Sequence, residues 1–359
     1  MKIVLTGGGT GGHVIPHLSL LPYLKKHFNK IYYIGSCSFE RDIMSKQKDV
    51  KYFSITTTKL QRDKFLKNLA LPFKLLKSVC QAKKLLKELK PNVVFSKGGF
   101  VSVPVCIAAK LLKIPVVTHE SDLSLGLSNK IIYKFCTTLC TTFPKTAQGL
   151  KKAIYTGSPL RQELFCGSKQ TALQQTNLPQ NSLPYLLIIG GSTGAESLNK
   201  TIFASLPTLT KHYNIMHITG KGKNNPNLNS VYKNYYQCEF CNNIQDLLAL
   251  SDFIVSRAGS NAICEFLALN KPMLLVPLSN SASRGDQVQN ANYFKNNNIA
   301  KVLNEENLTP TTLLKNLKEL QNNKNLFIQN MKLSPINKNG TENILNIILK
   351  NTKKLTPDV

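Results

Sequence analysis

The stretch KIVLTGGGTGGH, residues 2–13, places a glycine-rich loop between a short apolar run and an amphipathic segment. The apolar run predicts a buried strand, and residues 14–26 predict a helix. Gly7, Gly9 and Gly12 have the G-x-G-x-x-G spacing of loops that bind phosphate groups. Glycine lets the backbone approach a phosphate closely, and the start of the following helix supplies free N–H groups. The stretch therefore predicts a strand–loop–helix junction that binds an anion.

The same order of strand, glycine loop and helix recurs in the second half of the chain, at residues 185–194. Around both junctions, short apolar runs alternate with helical segments, which predicts parallel sheets built from βαβ units. At 359 residues the chain is long enough for two such domains. We predict an α/β protein with two doubly wound parallel-sheet domains, residues 1–158 and 159–338, facing a central cleft. A C-terminal helix within residues 339–359 is expected to pack back on the first domain.

The chain is strongly basic, with 46 Lys and Arg against 19 Asp and Glu and a net charge of +27. Residues 1–158 hold 26 of the basic and 7 of the acidic residues, so one domain carries most of the charge. This positive charge predicts an anionic partner, which is a phosphorylated ligand, a lipid headgroup surface or a nucleic acid. With five arginines and no tryptophan, the chain has few of the side chains typical of nucleic-acid-binding proteins. We expect no nucleic-acid partner, and keep nucleic-acid binding as the non-enzymatic alternative.

The cysteines and the hydropathy pattern bear on the compartment. Nine cysteines are scattered along the chain, many of them in apolar runs, which is typical of a reducing environment. No secretory signal precedes the first predicted strand, and no apolar run reaches the ~18 residues that cross a bilayer. Cys238 and Cys241 form a CxxC pair, but the other cysteines are too distant in sequence to predict a zinc site. We therefore expect a cytoplasmic protein without a metal.

The first glycine loop also raises two questions about chemistry. Domains that bind NAD or FAD usually have Asp or Glu at the end of the second strand, whereas this strand ends in Gly35 and Ser36. A dinucleotide cofactor is therefore not expected. His13 follows the loop, where it can act as a general base or simply hydrogen-bond the start of the helix. The spacing alone leaves both interpretations open.

Two more strand–loop–helix junctions are predicted in the second domain. In SRAGSNAICE, residues 256–265, Ser260 or Asn261 can cap a helix, and Glu265 lies about one turn further on. The helix dipole favours a carboxylate there, but Glu265 can also accept both hydroxyls of a ribose. The segment RGDQVQN, residues 284–290, opens another polar helix after a strand. With the junction at residues 185–194, three helix N-termini are directed at one cleft, which is more than packing requires.

Together these motifs resemble one family over nearly the whole chain, the peptidoglycan N-acetylglucosaminyltransferases of the GT-B glycosyltransferases. The segments that carry the resemblance occur in family order: GGGTGGH (7–13), SKGGF (96–100), HESD (119–122), TGSPLR (156–161), GGSTG (190–194), RAGSNAICE (257–265) and DQVQNA (286–291). The resemblance implies a GT-B fold of two Rossmann-like domains. It also implies inverting transfer of GlcNAc from UDP-GlcNAc to the C4 hydroxyl of MurNAc in lipid I (undecaprenyl-pyrophosphoryl-MurNAc-pentapeptide), which forms lipid II.

The family resemblance further implies a peripheral enzyme at the cytoplasmic face of the cell membrane. Such an enzyme needs neither a metal nor another cofactor, and the chain has no Asp-x-Asp pair that would hold a metal against a diphosphate. The implied partners are UDP-GlcNAc, lipid I, an anionic lipid membrane surface and other cell-wall synthesis proteins.

For the acceptor side, the resemblance implies that His13 takes the proton of the attacking hydroxyl. Asp122 stands where many family members have Asn, and is the alternative base. The residues implied in binding the acceptor pyrophosphate are Gly8, Gly9, Thr10, Gly11 and Gly12.

For the donor side, the resemblance implies that Arg161 and Ser192 meet the phosphates and that the backbone of Cys241 reads the uracil. It implies that Glu265 binds the ribose and that Gln287 binds the GlcNAc hydroxyls. The full set of implied donor-binding residues is Thr10, Gly11, Gly12, Asp122, Arg161, Ser192, Cys241, Ser260, Asn261, Ala262, Ile263, Cys264, Glu265 and Gln287.

A basic and apolar segment follows the third predicted strand. Residues 59–90 hold ten Lys and Arg against two acidic residues. We predict that residues 65–76 dock on an anionic bilayer, because an apolar face rimmed by lysine suits a membrane surface and the acceptor is a lipid. Residues 79–89 are expected to pack on the sheet. The predicted membrane patch comprises Lys64, Phe65, Leu66, Lys67, Leu69, Leu71, Phe73, Lys74, Leu76 and Lys77, with Lys97 and Lys110 as an extension.

A related enzyme class remains as the alternative function. A GT-B glycolipid synthase that transfers a sugar from a UDP-sugar to diacylglycerol would share the donor loops and the membrane patch. The GGGTGGH and HESD segments match the lipid I enzymes better.

Overall fold

A computed structural model of the protein describes residues 1–57, 71–191, 195–279 and 285–353. The chain divides into two compact units. The N-terminal unit comprises Met1–Arg161 and the chain from Lys338 onward, and the C-terminal unit comprises Gln162–Asn337.

Parallel strands form the sheet of the N-terminal unit: β1 (Lys2–Thr6), β2 (Lys30–Gly35), β3 (Val50–Ser54), β4 (Val93–Ser96), β5 (Val116–Glu120), β6 (Thr138–Thr141) and β7 (Ala153–Tyr155). Their order across the sheet is β3-β2-β1-β4-β5-β6-β7. The helices described in this stretch are α1 (Ile15–Leu24), α2 (Phe39–Met44), α3 (Leu71–Leu89), α4 (Ser102–Leu111), α5 (Leu127–Phe135) and α6 (Pro144–Ala147).

Helices cover both faces of this sheet, which is why its central strands are apolar along their length. Side chains of β1 alternate between two core clusters. Ile3 and Leu5 lie in one cluster with Leu20 of α1, whereas Val4 lies in the other with Leu86 of α3. The KIVLT run therefore forms a fully buried strand.

The sheet of the C-terminal unit is also parallel: β8 (Tyr185–Ile189), β9 (Asn214–Ile218), β10 (Tyr235–Cys238), β11 (Phe253–Ser256), β12 (Met273–Leu275) and β13 (Lys301–Val302), in the order β10-β9-β8-β11-β12-β13. The helices described here are α7 (Lys169–Thr176), α8 (Glu196–Leu209), α9 (Leu228–Val231), α10 (Ile244–Leu250), α11 (Ser260–Ala268), α12 (Asp286–Asn296), α13 (Pro310–Asn322) and α14 (Lys324–Leu333). Leu198, Ile202 and Leu206 of α8 pack against the sheet in one core cluster.

The last helix, α15 (Thr341–Lys353), belongs to the N-terminal unit although the C-terminal unit precedes it in sequence. Ile344, Leu345 and Ile348 are buried in the core cluster that contains Ile3. Asn343 Nδ2 donates to the Thr156 carbonyl oxygen at 3.0 Å, which ties the start of α15 to the end of the unit's first segment.

Because all strands of each sheet run in parallel, their carboxyl ends lie at one edge of that sheet. In doubly wound folds this edge carries the ligand-binding loops. None of the helices in the described ranges is both long enough and apolar enough to cross a bilayer.

Candidate active site

The first glycine loop leaves the carboxyl end of β1 and closes into a short 3-10 turn, Gly11–His13, before α1. His13 N donates to Thr10 O at 3.1 Å, and Val14 N donates to Gly11 O at 3.0 Å. Gly9, with a φ of +86°, and the adjacent Thr10 are exposed. The loop therefore presents main chain to solvent at the sheet edge, as an anion-binding loop requires.

Close packing explains why this loop is built from glycine. A Cβ on Gly7 would lie 2.3 Å from the His13 carbonyl oxygen, and one on Gly8 would lie 2.7 Å from Cδ of Glu40. A Cβ on Gly99, in the SKGGF turn after β4, would lie 2.3 Å from the Gly8 carbonyl oxygen. The two glycine turns thus lie directly against each other, and side chains would separate them.

His13 lies at the end of the loop, half-buried, with its Nδ1 3.0 Å from the Thr10 hydroxyl oxygen. A Cβ on Gly99 would lie 3.1 Å from the same nitrogen, so the SKGGF turn backs the imidazole ring. The contact with Thr10 is expected if His13 only hydrogen-bonds the start of the helix. It is equally suited to a base, because an Nδ1–H that donates to Thr10 directs the basic lone pair to Nε2.

Glu40, in α2, is a residue of this site that the sequence reasoning missed. Its carboxylate is fully buried, and it accepts hydrogen bonds from Ser36 N at 2.9 Å, from Gly9 N at 3.4 Å and from the Ser36 hydroxyl. Glu40 therefore ties the end of β2 to the first glycine loop. An acidic residue in the first turn of a helix is too common to have signalled this role.

Lys97, in the SKGGF turn, is 1% exposed. The expectation that it extends the membrane patch is therefore wrong. Its Nζ lies 2.6 Å from His119 Nδ1 and 2.5 Å from the Ser121 hydroxyl oxygen. An ammonium group can only donate, so His119 accepts at Nδ1 and donates from Nε2 to the Gly157 carbonyl oxygen at 3.1 Å. Burial, reinforced by the Lys97 charge, holds the pKa of His119 well below its usual value.

The HESD segment after β5 is organised by Glu120, which is buried. Its carboxylate accepts from Asp122 N at 3.0 Å, from Gly126 N at 3.0 Å and from Asn129 Nδ2 at 2.9 Å. Burial, followed by the nearby Asp122 carboxylate, raises the pKa of Glu120. Asp122 itself is half-buried at the same sheet edge as His13. Thus the structure brings both candidate bases to the carboxyl ends of β1 and β5.

In the C-terminal unit, α11 begins at Ser260, and its N-cap is Gly259, without a side-chain capping bond. The expectation that Ser260 or Asn261 caps this helix is therefore wrong, because both residues lie within its first turn. Ser260, Ile263 and Cys264 are buried, so a ligand would meet main-chain N–H groups there rather than these side chains. Glu265, one turn further on, is half-buried.

The other predicted donor residues are spread over the chain, Gln287 and Cys241 in the C-terminal unit and Arg161 in the N-terminal unit. Gln287, in the first turn of α12, accepts a hydrogen bond from Leu278 N at 3.0 Å through Oε1, and its amide also carries two N–H donors. Cys241 is 8% exposed and follows Phe240, which is 72% exposed. Arg161 is half-buried at the end of the N-terminal unit's first segment. Ser192 lies outside the described residues.

Within the described residues, no group of three or more His, Cys, Asp or Glu side chains is arranged to hold a metal ion. Cys238 is half-buried and Cys241 is buried, and burial raises the pKa of both thiols, that of Cys238 to about 11.

The membrane patch falls partly on the first turns of α3. Phe73 is 77% and Leu76 is 62% exposed, and Lys74 and Lys77 beside them are exposed as well. Leu71 is half-buried. The second part of α3 packs on the sheet through buried residues such as Val79, Ala82 and Leu86. The remaining predicted residues, Lys64, Phe65, Leu66, Lys67 and Leu69, lie outside the described residues.

Comparison with known proteins identifies the family. The model of the glycosyltransferase family 28 N-terminal domain matches residues 3–141, and that of the family's C-terminal domain matches residues 185–346. The chain belongs to glycosyltransferase family 28. As a member of this family, it is a glycosyltransferase, which confirms the enzyme class predicted from the sequence.

Two close relatives have the same name, UDP-N-acetylglucosamine--N-acetylmuramyl-(pentapeptide) pyrophosphoryl-undecaprenol N-acetylglucosamine transferase. The one from Clostridium botulinum strain Langeland is 48% identical over 356 residues, covering 98% of this chain and 99% of the relative. The one from Lachnospira eligens is 45% identical over 355 residues, with the same coverage. The resemblance to the peptidoglycan N-acetylglucosaminyltransferases is thereby confirmed.

Solved structures confirm the fold. The crystal structure of Acinetobacter baumannii MurG aligns with a TM-score of 0.75 at 24% identity, covering 97% of this chain and 99% of that one. The predicted GT-B architecture of two parallel-sheet α/β domains is therefore confirmed.

Proposed function

We propose that the protein transfers GlcNAc from UDP-GlcNAc to the C4 hydroxyl of MurNAc in lipid I, with inversion, and so forms lipid II for peptidoglycan synthesis. The observation that carries this proposal is 48% identity, over 98% of the chain, to a transferase whose name specifies this donor and this acceptor. A diacylglycerol glycosyltransferase is disfavoured, since the relatives at 45–48% identity carry the lipid I enzyme's name.

On the acceptor side, the loop Gly8–Gly12 binds the pyrophosphate of lipid I through main-chain N–H groups other than that of Gly9, which donates to Glu40. The exposure of Gly9, Thr10 and Gly12 supports this role. The C4 oxygen attacks the anomeric carbon of GlcNAc while the bond from that carbon to the UDP oxygen breaks. His13 takes the hydroxyl proton, and Asp122 is the alternative base.

On the donor side, the first N–H groups of α11 and the Arg161 guanidinium stabilise the negative charge that develops on departing UDP. Ser192 contributes a hydroxyl to the phosphates, and the backbone of Cys241 recognises the uracil. Fixed N–H donors of this kind supply the stabilisation that a metal ion supplies in other transferases, so we expect no metal requirement.

For the ribose and the sugar, the donor site uses two half-buried side chains. Glu265 accepts hydrogen bonds from the ribose hydroxyls, and the amide of Gln287 binds GlcNAc hydroxyls. The main chain of Ser260, Asn261, Ala262, Ile263 and Cys264 completes the nucleotide-binding surface.

The acceptor is a membrane lipid, so the enzyme works at the cytoplasmic face of the cell membrane as a peripheral protein, where it meets other cell-wall synthesis proteins. The exposed Phe73 and Leu76 between Lys74 and Lys77 support docking on an anionic surface. Each lysine near such a surface contributes about 1 kcal/mol.

The test is an assay of the purified protein with UDP-GlcNAc and one of three acceptors: lipid I, diacylglycerol or none. We expect UDP release and a disaccharide lipid product only when lipid I is the acceptor. EDTA should not change the rate. Transfer to diacylglycerol but not to lipid I would refute the acceptor assignment, and loss of turnover in EDTA would refute metal-independent catalysis.

A further inference from the structure

The C-terminal unit contains a buried arginine to which the donor site assigns no role. Arg257 follows β11 directly and is 6% exposed. Its Nη2 lies 2.5 Å from Glu305 Oε1 and donates to the Ser197 hydroxyl at 2.8 Å, while Nη1 donates to the Val276 carbonyl oxygen at 3.2 Å. Ser197 also donates to Glu305. One guanidinium group thus joins three other segments of the chain.

These segments follow neighbouring strands. The strands β8, β11, β12 and β13 are consecutive in the sheet, so their carboxyl ends lie side by side. Ser197 is the second residue of α8, which follows the loop after β8, Val276 directly follows β12, and Glu305 begins the 3-10 turn after β13. The Arg257–Glu305 pair therefore links the loops after four adjacent strands.

Glu305 also holds the loop after β12 at a second point. Its Oε2 accepts from Ser279 N at 3.1 Å, while the preceding N–H, that of Leu278, donates to Gln287. The main chain beside Gln287 is thus fixed by the same carboxylate that pairs with Arg257. A guanidinium presents its N–H groups in a fixed planar fork on separate nitrogens, whereas the three donors of a lysine lie on one nitrogen.

The ionised state of Glu305 is also favoured. Partial burial opposes ionisation, but hydrogen bonds from Ser197 and Arg257 outweigh it and lower the pKa of Glu305. Removing either member of such a pair leaves the other charge poorly compensated.

We propose that Arg257 and Glu305 are positioning residues for the donor nucleotide, which hold the start of α11 and residues 276–279 after β12 in their ligand-binding arrangement without contacting the ligand. The inference rests on the proposed function, because α11 carries Ser260–Glu265 and the main chain after β12 is hydrogen-bonded to Gln287. Loops that are ordered before binding lose less conformational entropy when UDP binds, so the affinity for the nucleotide is higher.

The test compares Glu305→Gln and Arg257→Lys with Glu306→Gln, which changes the adjacent exposed carboxylate in the same way. We expect the first two variants to bind UDP about tenfold more weakly in titration calorimetry, equivalent to about 1.4 kcal/mol. The KM for UDP-GlcNAc should rise by a similar factor, while kcat and the KM for lipid I change less than about twofold. The double variant should lose less binding free energy than the sum of the two single losses, because the two substitutions share the Arg257–Glu305 contact.

Other outcomes overturn the proposal. Wild-type UDP affinity in Glu305→Gln excludes a positioning role. A variant whose kcat and binding stoichiometry fall together while its UDP affinity stays unchanged also excludes that role. This pattern indicates that a smaller fraction of the protein is folded. If the wild type and Glu306→Gln themselves bind no UDP, the proposed function fails, and this inference fails with it.

Discussion

At the scale of single residues, much of the charge around the glycine loop of the N-terminal unit is structural. Glu40 and Lys97 are both buried, and their partners are loop amides and the His119 ring rather than solvent. Such groups shape the surface that a ligand meets. His13 differs from them because it is only half-buried and is hydrogen-bonded to the exposed Thr10.

His13→Ala is expected to lower kcat by about 10²–10⁴-fold, the usual contribution of a general base, with little change in UDP affinity. Steady-state kinetics with lipid I and calorimetry with UDP measure the two quantities. His27→Ala is the control, because His27 is exposed and lies outside the loop. Wild-type turnover in His13→Ala would remove it as the base and direct attention to Asp122.

Glu265→Gln is expected to weaken UDP binding about 10- to 150-fold, because a hydrogen bond to a charged acceptor contributes roughly 1.5–3 kcal/mol. Calorimetry with UDP and with uracil should locate the effect, since only UDP carries the ribose. Equal affinities of the wild type and the variant for UDP would contradict the ribose assignment.

Buried histidines predict how stability depends on pH. Burial lowers the pKa of His217 from 6.5 to about 3, so the folded protein keeps it neutral while the unfolded chain protonates it. The contribution of His217 to the free energy of unfolding is complete above about pH 6.5. It decreases by about 1.4 kcal/mol per pH unit as the pH falls towards 3. Urea titrations between pH 7 and 5 measure this slope. In His217→Gln the free energy of unfolding should depend less steeply on pH, by the contribution of one proton, whereas the control His27→Gln, at an exposed position, should keep the wild-type slope.

At the scale of elements, α3 has two parts with different surroundings. Its second part packs on the sheet through Val79, Ala82 and Leu86, whereas its first turns expose Phe73 and Leu76 among lysines. An isolated exposed leucine is ordinary, but exposed aromatic and aliphatic side chains next to two lysines are typical of a segment that binds an anionic membrane.

The double substitution Phe73→Ser, Lys74→Glu is therefore expected to reduce binding to phosphatidylglycerol vesicles at least tenfold, because it removes apolar burial and reverses one charge. Sedimentation with vesicles measures the binding. The matched control is Leu333→Ser, Lys332→Glu on α14, where Leu333 is 75% exposed. Similar losses in both variants would indicate nonspecific attraction by the net charge, and would contradict the α3 site.

At the scale of the whole molecule, the N-terminal unit is discontinuous in sequence. Its first segment ends at Arg161, and α15 completes its core from the far end of the chain. Ser158 and Asn339 form a parallel bridge, and Leu160 N donates to Thr341 Oγ1 at 3.1 Å, so the two segments of this unit are joined at these residues. The stability of the first unit therefore depends on the last helix.

Ile348→Ala should destabilise the N-terminal unit by about 2–5 kcal/mol, because Ile348 is fully buried and its truncation leaves a cavity. Hydrogen exchange read by mass spectrometry should show faster exchange in β1 and β4, with β8 and β11 unchanged. Asn346→Ala, at an exposed position of the same helix, is the control. Equal acceleration in both units would show that they unfold together.

Local sequence was sufficient to predict the paired parallel-sheet units and the strand–glycine–helix junctions, because strand periodicity and glycine turns depend on neighbouring residues. KIVLT and the loop after it form the strand and turn predicted from those letters alone. The family and its reaction class were also accessible from the order of short motifs.

What only the tertiary structure decided is which charged residues are buried. Lys97 was predicted to extend a membrane patch and Glu40 was assigned no role from the sequence, and Arg257 and Glu305 are 48 residues apart. Their roles depend on which strands become neighbours, because a buried charge is stable only beside a partner that the fold supplies. Pairings of that kind arise from the order of strands across a sheet, which no local pattern records.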